Sequence, residues 1–159
     1  MALSLASSLN KGLVGHWSLS KASAVIDGYT YFSGGGSGTL EEYVDCGNDS
    51  SLNFTSSDFS ISVWIAPDDI SGERKIFNRG QYVADGYYIW IEGGTIKFGT
   101  EQSGDAQTTV SSGSQFVAGR WYHVVGTRNG ASVKLYNNGA ETSYTGTPPS
   151  HVDPATSTR

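Results

Sequence analysis

Segments in which apolar and polar residues alternate recur at short intervals along the chain, and this pattern predicts β-strands. The clearest segment spans residues 59–65, and four apolar side chains share one of its faces: Phe59, Ile61, Val63 and Ile65. The other face carries Ser60, Ser62 and Trp64. Pro67 ends the segment, because proline lacks the N–H group that a sheet requires.

A glycine pair joins two later segments, residues 87–92 and 95–99. Gly93-Gly94 between them predicts a tight hairpin, since glycine adopts the positive φ angles of such turns. One face of the hairpin collects the residues expected in the core: Tyr87, Ile89, Ile91, Ile96 and Phe98. The opposite face carries Tyr88, Trp90, Glu92 and Lys97.

Two Asn-Gly pairs predict further hairpin turns in the C-terminal half. Asn129-Gly130 and Asn138-Gly139 tolerate the backbone of two-residue hairpin turns, so we predict a three-stranded meander. Its strands would span residues 121–128, 132–137 (with Val133 and Leu135 facing inward) and 140–145. Further strands are predicted at residues 13–19, 39–46 and 75–78.

These elements indicate an all-β protein, since no segment has the apolar spacing of an amphipathic helix. Composition agrees: the 159 residues include 21 glycines, 12% are aromatic and only 16% are charged. We predict one all-β domain over residues 1–159, an antiparallel two-sheet β-sandwich or a barrel. Residues 1–11 would form an N-terminal extension and 146–159 a C-terminal segment.

Charge and hydropathy narrow the possible partners. The formal net charge is −5, which argues against a nucleic-acid partner because phosphates attract a basic face. No segment approaches the apolar length of a membrane span, so membrane insertion is not expected. Cys46 is the single cysteine and cannot form an intrachain disulfide. The first residues lack the basic and apolar regions of a signal peptide.

Several segments together resemble the laminin G-like domains of the concanavalin A-like lectin/glucanase superfamily. The similar segments are GLVGHWSL at 12–19, YVD at 43–45, SLNF at 51–54, DFSISVWI at 58–65, GRWYHVV at 119–125 and VKLYNNG at 133–139. The resemblance implies a jelly roll of two antiparallel sheets. It also implies a module that binds glycans, proteins or calcium, or that serves as a structural unit.

The chain lacks the glycine-rich and Asp-Val-Arg strands with which these domains usually close. In the family the last strand pairs with the strand that here contains residues 14–19. We therefore expect either that residues beyond Arg159 complete the domain, or that another chain donates a strand. The second arrangement would be a homo-oligomer or a complex with a strand-donating partner.

Catalysis is not expected. Glucanases of the superfamily place paired carboxylates on one strand face, whereas Glu41 and Glu42 are adjacent and Asp68-Asp69 lie in a turn. The three histidines lack metal-ligand spacing, and His123, beside a strand tryptophan, is expected to be packed and hydrogen-bonded.

The aromatic residues opposite the core predict a binding site. Tyr88 and Trp90 should stand on an outward face, where they could stack against sugar rings beside Lys97. Tyr82 and Asp85, in the preceding loop, would form the rim. The alternative is that a loop covers both rings. Trp64 also points outward by alternation, but it matches a family position that usually packs, so a structural role is expected.

Calcium is the one cofactor that the resemblance leaves open. Candidate ligands are the carboxylates in loops or at strand ends: Asp27, Asp45, Asp49 and Asp85. The alternative is that these residues cap turns.

The sequence thus predicts a non-enzymatic binding module, for carbohydrate or for a surface protein in adhesion, in an extracellular or surface-exposed location. The alternative is a structural or assembly subunit, such as a virion or cell-surface decoration protein. A glycoside hydrolase is a remote third possibility, kept because the superfamily contains such enzymes. Glycan binding and oligomeric state would separate these classes.

Overall fold

The computed structural model describes residues 25–26, 29–30, 32, 43–44, 47, 49–80, 85–102, 106–113, 115–145 and 154. The chain divides into two compact units, Met1–Leu52 and Asn53–Arg159. The first unit contains β1 (Val25–Ile26) and β2 (Tyr29–Thr30), which pair antiparallel, and a 3-10 turn, Ser50–Leu52. The strand predicted at 13–19 lies outside the described residues. Of the one predicted at 39–46, Tyr43 and Val44 are described, and they are not in a strand.

The second unit contains eight strands within its described residues. They are β3 (Phe59–Ile65), β4 (Glu73–Arg79), β5 (Gly86–Glu92), β6 (Thr95–Gln102), β7 (Ala106–Ser111), β8 (Tyr122–Asn129), β9 (Ser132–Asn137) and β10 (Ala140–Glu141). One four-stranded antiparallel sheet, here the β3 sheet, has the order β10-β9-β8-β3. The other, the β5 sheet, has the order β4-β5-β6-β7.

The β3 strand follows its sequence pattern. Phe59 is buried, and Ile61, Val63 and Ile65 pack against the core, while the residues between them are exposed. The strand pairs with β8 without a register shift from Phe59↔Arg128 to Ile65↔Tyr122. The predicted inward and outward faces are therefore confirmed.

The β5 sheet is an up-and-down meander whose central hairpin turns at Gly93 and Gly94, with φ angles of 57° and 80°. Its last strand, β7, was not expected from the sequence. That strand reads Ala-Gln-Thr-Thr-Val-Ser and offers one large apolar residue, Val110, which is buried. A single apolar position carries no periodicity, so only pairing with β6 defines the strand.

The predicted meander forms through β8, β9 and β10, with Asn138 at φ 51° and Gly139 at φ 84° in its second turn. Its third strand is shorter than expected. After Glu141 the chain leaves the β3 sheet and reaches the edge of the β5 sheet, where Gly113 N donates to Ser143 O at 2.6 Å. Thr145 N likewise donates to Ser111 O at 3.1 Å, so this segment links the two sheets along one side.

The core lies between the two sheets. Every residue predicted to face inward is either buried there or packed against it, including Ile89 and Phe98 at 0% exposure. Aromatic rings connect the layers: Phe59 of β3 lies 4.6 Å from Tyr87 of β5 and 6.0 Å from Phe98 of β6, between centroids. The protein is an antiparallel two-sheet β-sandwich, as predicted.

Two buried arginines fix the segment that enters β3. Arg79 of β4 donates from Nη2 to Asn53 Oδ1 at 2.6 Å. Arg128 of β8 donates from Nη1 to the carbonyl oxygens of Thr55 and Ser57 at 2.9 and 3.2 Å. Because buried guanidinium groups need hydrogen-bond acceptors, these contacts tie residues 53–57 to a strand of each sheet.

Candidate functional site

The predicted aromatic pair on β5 lies on the face opposite the core, but it is not exposed. Tyr88 is 1% and Trp90 6% exposed, whereas Tyr87, Ile89 and Ile91 occupy the core side of the same strand. The prediction of an open aromatic surface here is therefore wrong. Alternation fixes the side of a sheet on which a residue lies, but it does not determine what covers that side.

A lysine lies over both rings. The Nζ atom of Lys75, on β4, is 5.0 Å from the centroid of Tyr88 and 4.8 Å from that of Trp90. The two rings meet edge to face with centroids 5.4 Å apart. Lys75 pairs directly with Trp90 in the β4–β5 register, which positions the ammonium group for a cation–π contact with both rings.

A glycine on the neighbouring strand makes room for these rings. Gly99 of β6 lies opposite Tyr88, and a Cβ atom added there would be 2.7 Å from Tyr88 Cε2 and 3.1 Å from Trp90 Cζ3. The Tyr88 hydroxyl donates to the buried carboxylate of Glu101, also on β6. The aromatic pair therefore packs onto β6 as an interior contact.

Lys97 lies on this face, as predicted, and forms an ion pair rather than a free binding group. Its Nζ is 2.7 Å from Glu92 Oε2, which also accepts the Trp90 Nε1–H at 3.2 Å. The hydrogen bond from Lys97, followed by that from Trp90, holds the pKa of the Glu92 carboxyl below its usual value. The structure thus brings Tyr88, Trp90 and Lys97 together, while Tyr82 lies outside the described residues.

An exposed aromatic surface exists on the other sheet. Trp64 of β3 is 63% exposed and stacks on the His123 ring of β8, with centroids 4.9 Å apart and planes at 22°. The two residues are direct partners in the β3–β8 register. The structural, packed role expected for Trp64 is therefore wrong in part: one face of the indole contacts His123, and most of the side chain is open.

Hydrogen bonds hold His123 in place beneath the indole. Its Nε2 and the hydroxyl of Ser62 are hydrogen-bonded at 2.9 Å, so the expectation of a packed, hydrogen-bonded histidine is confirmed. Its backbone N donates to Asn138 Oδ1 at 2.9 Å, and its carbonyl accepts from Asn138 N at the same distance. The support under Trp64 is consequently fixed before any ligand arrives.

Neighbouring residues extend this surface, which we call the Trp64 face. Trp121, directly before β8 and two residues before His123, is 49% exposed. The outward residues that define the face are Ser60, Ser62, Trp64, Ala66, Trp121, His123, Val125 and Thr127. The alternation in residues 59–65 correctly predicted that Trp64 lies on the outward side of β3. The prediction that it is packed came from its position in the family.

A charged pair lies on β9 and β10 of the same sheet, where Lys134 is directly opposite Thr127 of the Trp64 face. Lys134 of β9 is 3.0 Å from Glu141 of β10, which also accepts a hydrogen bond from the Tyr144 hydroxyl at 2.9 Å. The hydrogen bond between the two charged groups raises the pKa of Lys134 and lowers that of Glu141. The two charges are therefore matched to each other.

The candidate calcium ligands do not form a cluster where they are described. Asp49 accepts the Ser51 N–H at 2.8 Å, which is the turn-capping geometry expected as the alternative. Asp85 precedes β5, and Asp27 and Asp45 lie outside the described residues. Within the part of the chain that the structure describes, no group of three or more acidic, histidine or cysteine residues could hold a metal ion.

Comparison with known proteins agrees with this architecture. The laminin G-like family model of the concanavalin A-like lectin/glucanases superfamily matches residues 35–158, and the chain belongs to this family. No curated protein and no solved structure matches it significantly. Laminin G-like domains are generally non-catalytic and often extracellular. Among the described residues, no helix is long and apolar enough to cross a membrane.

Proposed function

We propose that this protein is a non-enzymatic carbohydrate-binding module, displayed outside the cell or on a surface, and that it binds glycans through the Trp64 face. The observation that supports the proposal is the exposure of Trp64 at 63% on the outward side of β3, where it stacks on the His123 ring. Contiguous exposed apolar surfaces mark interaction sites more often than single exposed residues do. Family membership is compatible with a binding module.

The chemistry of this surface suits a sugar. The apolar face of a pyranose ring can lie against an indole, which combines a large apolar area with a π-system. Polar groups beside the ring then orient the sugar through its hydroxyls. The Ser62 hydroxyl and the His123 ring lie next to the indole and can donate or accept hydrogen bonds.

The buried aromatic pair on β5 supports the proposal less well. Tyr88 and Trp90 contact each other and Lys75, and their exposure of 1% and 6% leaves no ring surface for a sugar. Ligand binding by Tyr88, Trp90, Lys97 and Tyr82 stays a prediction, and it would require this face to open.

Affinity gel electrophoresis tests the proposal. The polysaccharides would be hydroxyethylcellulose, laminarin, xylan, galactomannan, polygalacturonate and heparin, each cast separately into a native gel. We expect at least one to retard the wild-type protein and Trp64→Ala to migrate freely. Tyr43→Ala is the matched control, because Tyr43 is 73% exposed and belongs to the other compact unit. Retardation should persist in EDTA, since the outward residues of the face include no carboxylate.

Three outcomes would contradict the proposal. Migration of the wild type unaffected by all six polysaccharides would do so, as would equal retardation of the wild type and Trp64→Ala. The third is a wild-type oligomer that Trp64→Ala converts to a monomer in light scattering, because the face would then serve assembly, the alternative function.

A further inference from the structure

We infer that the Trp64 face takes an uncharged glycan chain, rather than a single sugar or an acidic polysaccharide, and that the chain contacts two rings, Trp64 and Trp121. This inference rests on the proposed function and specifies its ligand class. It is carried by two observations, the placement of the two indoles relative to each other and the charges around them.

The strand pairing places the two indoles near each other. Ile65 and Tyr122 form the last pair between β3 and β8 at this end of the sheet. Trp64 directly precedes Ile65 and Trp121 directly precedes Tyr122, so the two tryptophans flank that pair on neighbouring chain segments. A hydrogen bond from Gly119 N to Pro67 O, at 2.8 Å, keeps the two chain segments side by side just beyond the strands.

Both indoles are exposed, and each extends from an anchored part of the backbone. Trp121 precedes Tyr122, whose ring packs 4.4 Å from Phe116 and whose hydroxyl accepts the Val117 N–H at 2.9 Å. Trp64 stacks on His123, which is held by Ser62 and Asn138. Two exposed rings on an anchored backbone reduce the conformational entropy lost on binding, and they favour a ligand long enough to touch both.

A small exposed residue follows β3. Ala66 lies two positions after Trp64 and carries only a methyl group. It therefore adds no bulky side chain beside the indole that would obstruct a chain of sugar rings. A single monosaccharide would contact one ring and leave the second unused.

The charge distribution favours a neutral chain. The outward positions of β3 and β8 in the Trp64 face carry serine, threonine, valine, tryptophan and histidine, with no lysine, arginine or carboxylate. Lys134, which pairs with Thr127 across β8 and β9, is held by Glu141 at 3.0 Å. Arg120 is exposed in the segment that precedes β8 and adds one positive charge beside Trp121. An acidic chain would find no row of cations along this surface.

Isothermal titration with oligosaccharides of defined length tests the inference. The probes are mono-, di- and tetrasaccharides of β-1,4-glucose, β-1,3-glucose and β-1,4-mannose, with tetragalacturonate as the charged chain of equal length. We expect at least one neutral tetrasaccharide to bind about tenfold more tightly than its monosaccharide, since a second stacked ring contributes on the order of one decade in affinity.

Trp121→Ala should remove this gain with length, whereas Trp64→Ala should abolish binding. Tyr43→Ala, an exposed change in the other compact unit, is the control and should retain the wild-type length dependence. An unchanged gain in Trp121→Ala, or tighter binding of tetragalacturonate than of every neutral tetrasaccharide, would overturn this inference and leave the proposed function standing. If neither these probes nor the six polysaccharides bind, both fail together.

Discussion

The two sheets of this sandwich carry similar aromatic residues on their outward sides, and the two surfaces differ in what lies over the rings. On the β5 sheet Trp90 is 6% exposed, and on the β3 sheet Trp64 is 63% exposed. Both tryptophans alternate with core residues, and each contacts one other ring. Their sequence context therefore makes them equivalent, although one is interior and the other open.

Cross-strand neighbours account for part of the difference. Trp90 is on β5, which pairs with β4 on one side and β6 on the other. Its ring contacts Lys75 of β4 and occupies the space that the missing side chain of Gly99 leaves on β6. Trp64 meets a flat ring, His123, from β8. Trp64 therefore has one ring beside it, whereas Trp90 contacts an ammonium group and a second ring and packs beside a glycine. Neighbours across the sheet, more than alternation, determine whether an aromatic residue can bind a ligand.

The largest expected effect is on stability. Trp90→Ala should lower the free energy of unfolding by about 3–5 kcal/mol, because it removes a large buried side chain and leaves a cavity. Trp64→Ala should change it by less than about 1 kcal/mol, since most of that side chain is in solvent. Urea unfolding of both variants measures the difference. Equal losses would show that the two faces are equally buried in solution.

A smaller loss is expected from overfilling the hollow at Gly99. Gly99→Ala should cost about 1–3 kcal/mol, because the new Cβ would lie 2.7 Å from Tyr88 Cε2. The same change in a Tyr88→Ala background should cost less, since the obstructing ring is gone, and a double-mutant cycle in urea measures this coupling. Additive effects would mean that the Tyr88 ring does not lie over Gly99.

Fluorescence quenching compares the solvent exposure of the two tryptophans directly, without measuring stability. Acrylamide should quench Trp64 readily and Trp90 poorly, so Trp64→Phe should lower the quenchable fraction of the emission more than Trp90→Phe does. Trp17 and Trp121 are common to both variants and cancel in the comparison. The opposite order would place the open aromatic surface on the β5 sheet, as the sequence pattern alone predicted.

The smallest expected effect is on the pH dependence of stability. Here the two sheets should behave alike, because each carries one surface glutamate whose pKa is lowered. The pKa values of Glu92 and Glu141 are lowered chiefly by hydrogen bonds from Lys97 and Lys134. A carboxyl whose folded pKa is depressed contributes stability above its unfolded pKa and loses it as pH falls through the folded value. Below pH 4.5, the usual glutamate pKa, the free energy of unfolding should fall slightly less steeply in Glu92→Gln and in Glu141→Gln than in the wild type. A steeper fall in either variant would contradict the lowered pKa.

The candidate site was only partly predictable. Alternation correctly assigned Tyr88, Trp90 and Lys97 to one face, and it assigned Trp64 to the outward side of β3. It did not reveal that Lys75 would lie over the rings of Tyr88 and Trp90, because the pairing of β4 with β5 contains a register shift between Lys75 and Phe77. Nor did it reveal the stacking of Trp64 on His123, since these residues are 59 positions apart in sequence and meet only through strand pairing.

The sequence by itself determined the class of fold. Period-two alternation in residues 59–65 and the Gly93-Gly94 and Asn138-Gly139 turns depend on neighbours along the chain, so they can be recognised without tertiary information. Tertiary structure decided which strands pair, that β7 exists at all, and which aromatic face is open. Those outcomes depend on what each side chain meets across a sheet, where contacts join residues distant in sequence. Trp90 became interior and Trp64 became surface for that reason.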